Sequence, residues 1–390
     1  MSPIDFIIVY LFLFSFFAVY GKFCSKSKSS RVFWARSSVA IVIFSLIEGL
    51  RYCRGVDYFG YMRGYLFPDD DSERGNAALD TLNAILRFFD CHFVLVFVTY
   101  SFIFIVSAFL LLRCWKQESK YMFAFLLPLC LIYQENLVRQ NIAFSFVLIG
   151  MAFLIKKRYY IALLFGIIAL WFHIAVAILI LSIVLAYFVV KRKYCHYTVV
   201  IAIDFLILFI INTELVSEIA TVMTLLDLGD SKYQAYVNNA DRWFSDDNNN
   251  VDVARSQISN FVRLLSNSAY YYLGYYCCKL KKELSYITIY NISVVGFLFV
   301  DLTYTYDIIV RMFMPLQMLS FIILGSIYLY KHEIMRMLKP NILLVKYLAF
   351  AIPVVWYVGY VLRWIFVNPD TLFVWSDIQD WNTNLHSIMH

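Results

Sequence analysis

The chain has 390 residues, of which 62% are hydrophobic and 15% charged, and its mean hydropathy is +0.70, whereas soluble domains carry roughly 25% charged residues. This excludes a soluble enzyme, and the formal net charge of +6 is better explained by the side of a membrane it marks than by a nucleic-acid partner. What remains is an all-α polytopic membrane protein, read as one integral membrane domain over residues 1–390, with 13 glycines and 7 prolines too few for low-complexity linkers.

The first segment, "MSPIDFIIVYLFLFSFFAVYGKF", has an acidic residue where a secretory signal is basic and lacks a small-residue cleavage site. It reads as a retained first helix. Eleven further apolar runs follow, at about 33–50, 93–113, 121–133, 139–155, 159–172, 174–190, 197–212, 258–278, 285–300, 308–330 and 342–362. The sequence therefore predicts about 12 membrane segments.

Basic connectors at Lys22 to Arg31, Arg113 to Lys120, Lys156 to Arg158, Lys191 to Lys193, Lys279 to Glu283 and Lys331 to Lys339 together hold nineteen Lys/Arg and three acids. The positive-inside rule places them in the cytoplasm. Residues 51–92, with seven acids to five bases, and 213–256, with eight to three, are then outer loops. Both termini fall on the outer face.

Two hairpins are short. Between Lys120 and Lys156, and between Arg158 and Lys191, only about 35 and 32 residues leave and return, where two full spans need about 40. Their apices, "QENLVRQN" and "WFH", are expected below the outer surface, where irregular polar backbone is tolerated only inside protein or along a watery cavity. The sequence predicts shortened or re-entrant hairpins around an outward-opening cavity.

Candidate chemistry gathers on that face. "LRYCRGVDYFGYMRGYL", at 50–66, brings Arg51, Arg54, Asp57 and Arg63 together with Tyr52, Tyr58, Tyr61 and Tyr65. Arg51 and Arg54 either snorkel to lipid phosphates or clamp a diphosphate bidentately. Asp57 either accepts a proton from a hydroxyl or holds an arginine. Tyr58 and Tyr61 join the binding set.

Glu135 and Arg139 lie four residues apart, so that on a continuous helix they form an ion pair across one turn. The alternative is that Arg139, with Gln140, binds an anion in the cavity while Glu135 orients it or acts as a base. His173 is either hydrogen-bonded packing or a phosphate donor and proton shuttle. Asp301, Asp307 and Arg311 repeat the acid-then-arginine pattern, with an ion pair as the plain reading.

Other features read more simply. "PDDDSE" and "SDDNNN" are solvated loops without Ca²⁺-loop spacing, and no metal or cofactor is expected. "ELVSEIATVMTLLDL", at 214–228, has one apolar face suited to an outer interfacial helix. Most of the 30 tyrosines and 36 phenylalanines fit an aromatic belt and lipid-facing packing. Among eight cysteines, Cys53 and Cys91 share one outer segment and are the pair open to a disulfide.

"LRYCRGVDYFGY", "ENLVRQNIAFSF", "ALWFHIAVAILIL" and "IVRMFMPL", in that order over about residues 40–320, resemble the successive motifs of the EpsG family. This family groups with Wzy-type bacterial polysaccharide polymerases. The resemblance implies a GT-C-like bundle in the bacterial inner membrane that polymerises lipid-linked repeat units on the outer side. Donor and acceptor would be glycans on polyprenyl diphosphate, without nucleotide sugar, and a flippase and a chain-length regulator would be partners. Arg51, Arg54, Arg139 and Arg311 then face the diphosphate, and Asp57, Glu135 or His173 accepts the proton, in that order. A lipid-linked oligosaccharide flippase, or a transferase of single sugars from polyprenyl phosphate, are the alternatives.

Overall fold

A computed structural model describes residues 3–50, 58–68, 77–211, 257–304, 307–338 and 343–367. Every regular element among them is helical. The chain forms two compact units, one running from the start to His173 and including the chain from Val358 on, the other Ile174–Tyr357.

The first unit contains α1 (Pro3–Ser25), α2 (Ser30–Gly49), α3 (Tyr58–Leu66), α4 (Ala77–Phe88), α5 (Phe93–Leu112), α6 (Met122–Asn136), α7 (Val138–Ile155) and α8 (Tyr159–Phe172). Their ends follow capping chemistry. The Ser29 side chain accepts the Val32 N–H at 3.2 Å to open α2, and His92 Nδ1 accepts the Val94 N–H at 3.4 Å to open α5, each satisfying a donor that has no helical partner. Phe17, Phe33, Phe44, Phe104, Phe109 and Phe123 fill the interior, with Phe109 edge-on to Phe123 at 4.8 Å, a favoured ring geometry.

α2 crosses α5 at Gly49, where a methyl group would meet the Val98 backbone nitrogen at 2.6 Å. Small residues permit such backbone approach in membrane bundles. The end of α2, from which residues 50–66 depart, is thereby fixed against α5.

The second unit contains α9 (Ala177–Val184), which widens into a π turn at Leu185–Val190, then α10 (Tyr197–Phe209), α11 (Gln257–Lys281), α12 (Leu284–Leu302), α13 (Asp307–Met318) and α14 (Ser320–Leu329). A short helix, Lys331–Met337, precedes α15 (Leu343–Val367). The basic loop before α10 is held by α12, because Asn291 donates to the Lys193 carbonyl at 2.8 Å and accepts the Cys195 N–H at 3.2 Å. Gly296 brings α12 onto α13, where a Cβ would meet the Leu316 carbonyl carbon at 2.7 Å.

Three lysines of the basic connectors also stop helices. Lys157, Lys191 and Lys282 have φ of 58°, 55° and 54°, positive values that usually fall to glycine. A lysine there costs about 1–2 kcal/mol in backbone strain, offset in part by its charge at the negative end of the helix dipole.

All twelve apolar runs coincide with helices. Among the described residues six are long and apolar enough to cross a membrane: Ile7–Ser25, Ser30–Gly49, Phe93–Trp115, Val138–Ile155, Leu284–Leu302 and Ile309–Leu329. Five others are shorter, including Met122–Leu131, Tyr159–Phe172 and Ile174–Val190. The two short hairpins expected from the sequence thus have short arms at α6, at α8 and at the broken segment 174–190, whereas α7 is full length.

The described cysteines, Cys91 among them, are free thiols. Cys53, the other member of the pair left open to a disulfide, lies outside the described residues.

Candidate functional site

The helix that Glu135 and Arg139 would share is interrupted between them. α6 ends at Asn136, Leu137 adopts φ −118°, ψ 55°, and α7 begins at Val138. The two side chains therefore do not sit on consecutive turns of one helix, and the one-turn spacing argument for their pairing is lost. In its place the break turns polar side chains of α6 and α7 into the unit.

Glu135, 2% exposed, meets a partner that the sequence reading did not single out. The Tyr10 hydroxyl of α1 lies 2.8 Å from Glu135 Oε1 and 2.8 Å from Glu48 Oε1 at the end of α2. Tyr10 and Glu48 are fully buried. Two carboxyl groups and a phenol from three helices thus meet in an apolar interior, where an unsatisfied polar group is costly.

A second chain of hydrogen bonds continues from the break. Gln134 donates to Ser101 Oγ of α5 at 3.0 Å and receives a hydrogen bond from the Asn141 amide. The Asn141 N–H caps the Leu137 carbonyl at 2.8 Å, and Ser145 Oγ donates to the Asn141 carbonyl at 2.7 Å. Gln140 is 4% exposed beside them. This network locks α5, α6 and α7 in register around the kink.

Arg139, half-buried on the first turn of α7, is approached from α3. Its backbone N–H donates to the Tyr61 hydroxyl at 3.3 Å. Tyr58 is buried and stacks on Phe97 of α5 with centroids 4.3 Å apart, which seats α3 against the unit. His173 ends α8 in an extended conformation, its N–H capping Ala169, and lies close enough to Arg139 to feel its charge. The structure thus brings Glu135, Arg139, Gln140, Tyr61 and His173 together in one unit.

Arg311 belongs to the other unit, on the second turn of α13. Asp301, grouped with it from the sequence, ends α12 and forms an ion pair with Arg263 of α11. Arg51, Arg54 and Asp57 lie outside the described residues, as do the strings at 69–73 and 245–250, the expected interfacial helix at 214–228 and the side chain of Asp307.

The first unit thus holds buried carboxyl groups together with the half-buried Arg139 guanidinium and His173 imidazole near an interrupted helix. Among the described residues no group of three or more His, Cys, Asp or Glu is placed to hold a metal ion.

The EpsG family model matches residues 34–371, which takes in parts of both units and the four motifs that carry the resemblance. The chain belongs to the EpsG family. It is a multi-pass membrane protein of a family implicated in exopolysaccharide biosynthesis. No curated protein and no solved structure matches it. Within this EpsG-family chain the residues that sequence reasoning missed are Tyr10 and Glu48. Glu48 left a signal, as a lone acid near the end of an apolar run directly before "LRYCRG"; Tyr10, one tyrosine in an aromatic-rich helix, left none.

Proposed function

We propose that this protein polymerises polysaccharide repeat units, acting as a glycosyltransferase on the outer face of the bacterial inner membrane. The growing glycan passes from polyprenyl diphosphate to an incoming repeat unit on a second polyprenyl diphosphate. An acceptor hydroxyl attacks the anomeric carbon of the sugar attached to the donor lipid. The new glycosidic C–O bond forms, the bond to the diphosphate breaks, and polyprenyl diphosphate departs with the electron pair.

Charge develops on the leaving diphosphate, so cations fixed near it lower the barrier. Arg139 is assigned that task, with Arg51, Arg54 and Arg311. Asp57 takes the hydroxyl proton, with Glu135 and then His173 as the other candidate bases. Gln140, Tyr58 and Tyr61 hold the diphosphate and glycan. A flippase delivers the repeats and a chain-length regulator acts on the product.

The observation that carries this reading is the buried Glu135–Tyr10–Glu48 set beside Arg139 and His173, at a helix break, in a chain of the EpsG family. Ionisable groups inside a membrane domain are costly, and their usual justification is function.

The decisive experiment deletes the gene and measures the sizes of the surface glycan and of the lipid-linked pool. Surface glycan shortened to one complete repeat is the expected result. Complete repeats trapped on the cytoplasmic side would instead make the protein a flippase, and a repeat lacking one sugar would make it a single-sugar transferase.

A further inference from the structure

The second unit holds a separate buried polar cluster that the proposed glycosyl transfer does not use. Asp204 is the lone acid of α10, in "VVIAIDFLILF", and is fully buried. On α11, Arg263, Asn267 and Tyr271 lie on successive turns of one face, and on α12 Asp301 completes the group. Arg263 Nε pairs with Asp301 Oδ1. The Asn267 amide then uses one nitrogen for both carboxyls, donating to Asp301 Oδ2 at 2.7 Å and to Asp204 Oδ2 at 3.1 Å.

The charges do not close. Arg263 and Asp301 compensate each other, and Asn267 is neutral. Asp204 is left with a shared neutral amide on one oxygen, while its Oδ1 is buried with no hydrogen-bond partner among the described residues. A second, independent group is aimed at the same place: the Tyr271 hydroxyl is fully buried, faces the Asp204 and Asp301 carboxyls, and makes no hydrogen bond of ordinary geometry. With Arg263 matched by Asp301, the Asp204 carboxylate is an uncompensated charge in an apolar bundle beside the Tyr271 oxygen, and such a charge calls for a positive partner.

We propose that Asp204 holds one exchangeable monovalent cation, a proton or a sodium ion, between its Oδ1 and the Tyr271 hydroxyl. As a proton it sits on Oδ1 and is donated to the Tyr271 oxygen; as sodium it is ligated by both oxygens. The groups that face Asp204 from the helices packed on it are Arg263, Asn267 and Tyr271 of α11 and Asp301 of α12. Loss of the cation leaves two carboxylates opposed across the Asn267 amide and only one guanidinium between them, which loosens α10 from α11 and α12. The site is independent of the polymerase assignment and would hold were that assignment wrong.

The test uses the full-length protein purified in detergent and follows its thermal unfolding. One series raises pH in sodium-free choline chloride; the other adds NaCl at constant ionic strength and pH 8. Because the folded state would retain a cation that the unfolded chain releases, stability should fall as pH rises without sodium. Dependence on pH alone identifies a proton; recovery of several degrees on adding sodium identifies sodium. Asp204→Asn, a neutral isostere, should abolish either dependence. A wild-type melting temperature indifferent to both variables, or a dependence that survives in Asp204→Asn, overturns the proposal. Should that variant fail to fold, Tyr271→Phe keeps every charge and removes only the hydroxyl. It should shift the pH or sodium midpoint about tenfold in cation concentration, and an unshifted midpoint is equally fatal.

Discussion

Tyr10→Phe removes one oxygen from the centre of the first unit and leaves the aromatic packing intact. That oxygen lies 2.8 Å from both Glu48 Oε1 and Glu135 Oε1, in surroundings closed to solvent. A hydrogen bond to a charged group contributes about 1.5–3 kcal/mol, and a buried polar group left without its partner costs a similar amount. The phenol has one hydrogen, so it donates to only one carboxyl at a time. The expected loss is therefore about 2–3 kcal/mol and not twice that. Unfolding by SDS in mixed micelles measures it, and the size of the surface glycan in complemented cells reports the functional effect. A double-mutant cycle with Glu48→Gln should give a coupling above about 0.5 kcal/mol, the lower range for residues in one network. A Tyr10→Phe loss below about 0.5 kcal/mol, the scale of an ordinary surface change, or additive effects in the cycle, would refute the bridge as a stabilising element.

Other expectations follow from the same structure. Arg139→Ala should abolish polymer while the protein remains inserted and abundant by immunoblot; normal-length polymer would remove Arg139 from the proposed site. Gly49→Ala and Gly296→Ala, which push a methyl into the Val98 and Leu316 backbones, should each destabilise by about 1–3 kcal/mol, read as lowered melting temperatures. Cys195 is exposed in a basic loop, so in a variant with the other cysteines replaced by serine a membrane-impermeant maleimide should label it in inverted vesicles and not in intact spheroplasts. Cys91, half-buried after α4, should show the opposite sidedness as the sole thiol, and matching sidedness for the two would overturn the orientation drawn from charge.

Hydropathy made the helical bundle legible because apolar runs and basic connectors are local features. All twelve runs coincide with helices, yet α11 does not qualify among the long apolar spans. Its buried face carries Asn267, Tyr270 and Tyr271, and the partners of Asn267 and Tyr270 lie on other helices. The break at Leu137 falls inside the apex "QENLVRQN" expected from the sequence, but its exact position was not legible, since neither glycine nor proline marks it. The spacing argument for Glu135 and Arg139 assumed a continuous helix and failed for that reason. Asp204 and Glu48 were visible as single acids in apolar stretches, but the residues that explain them, Asn267 and Tyr10, lie 63 and 38 positions away. The arginine motif at 51–57 is the clearest sequence signal and falls outside the described residues.

The short α6 bears on how the protein is made. Its 15 residues rise roughly 22 Å at 1.5 Å each, well short of the roughly 30 Å hydrocarbon core, and it ends in Gln134, Glu135 and Asn136. Such a segment leaves the insertion machinery poorly as a lone helix. It gains its partners only when α7 has been synthesised and Asn141 can reach Gln134, with α1, α2 and α5 already waiting in the bilayer. Integration of α6 is then a cooperative event of the nascent chain, so truncations ending just after Asn136 should leave that segment uncommitted to the membrane, while those extended past Ile155 should not.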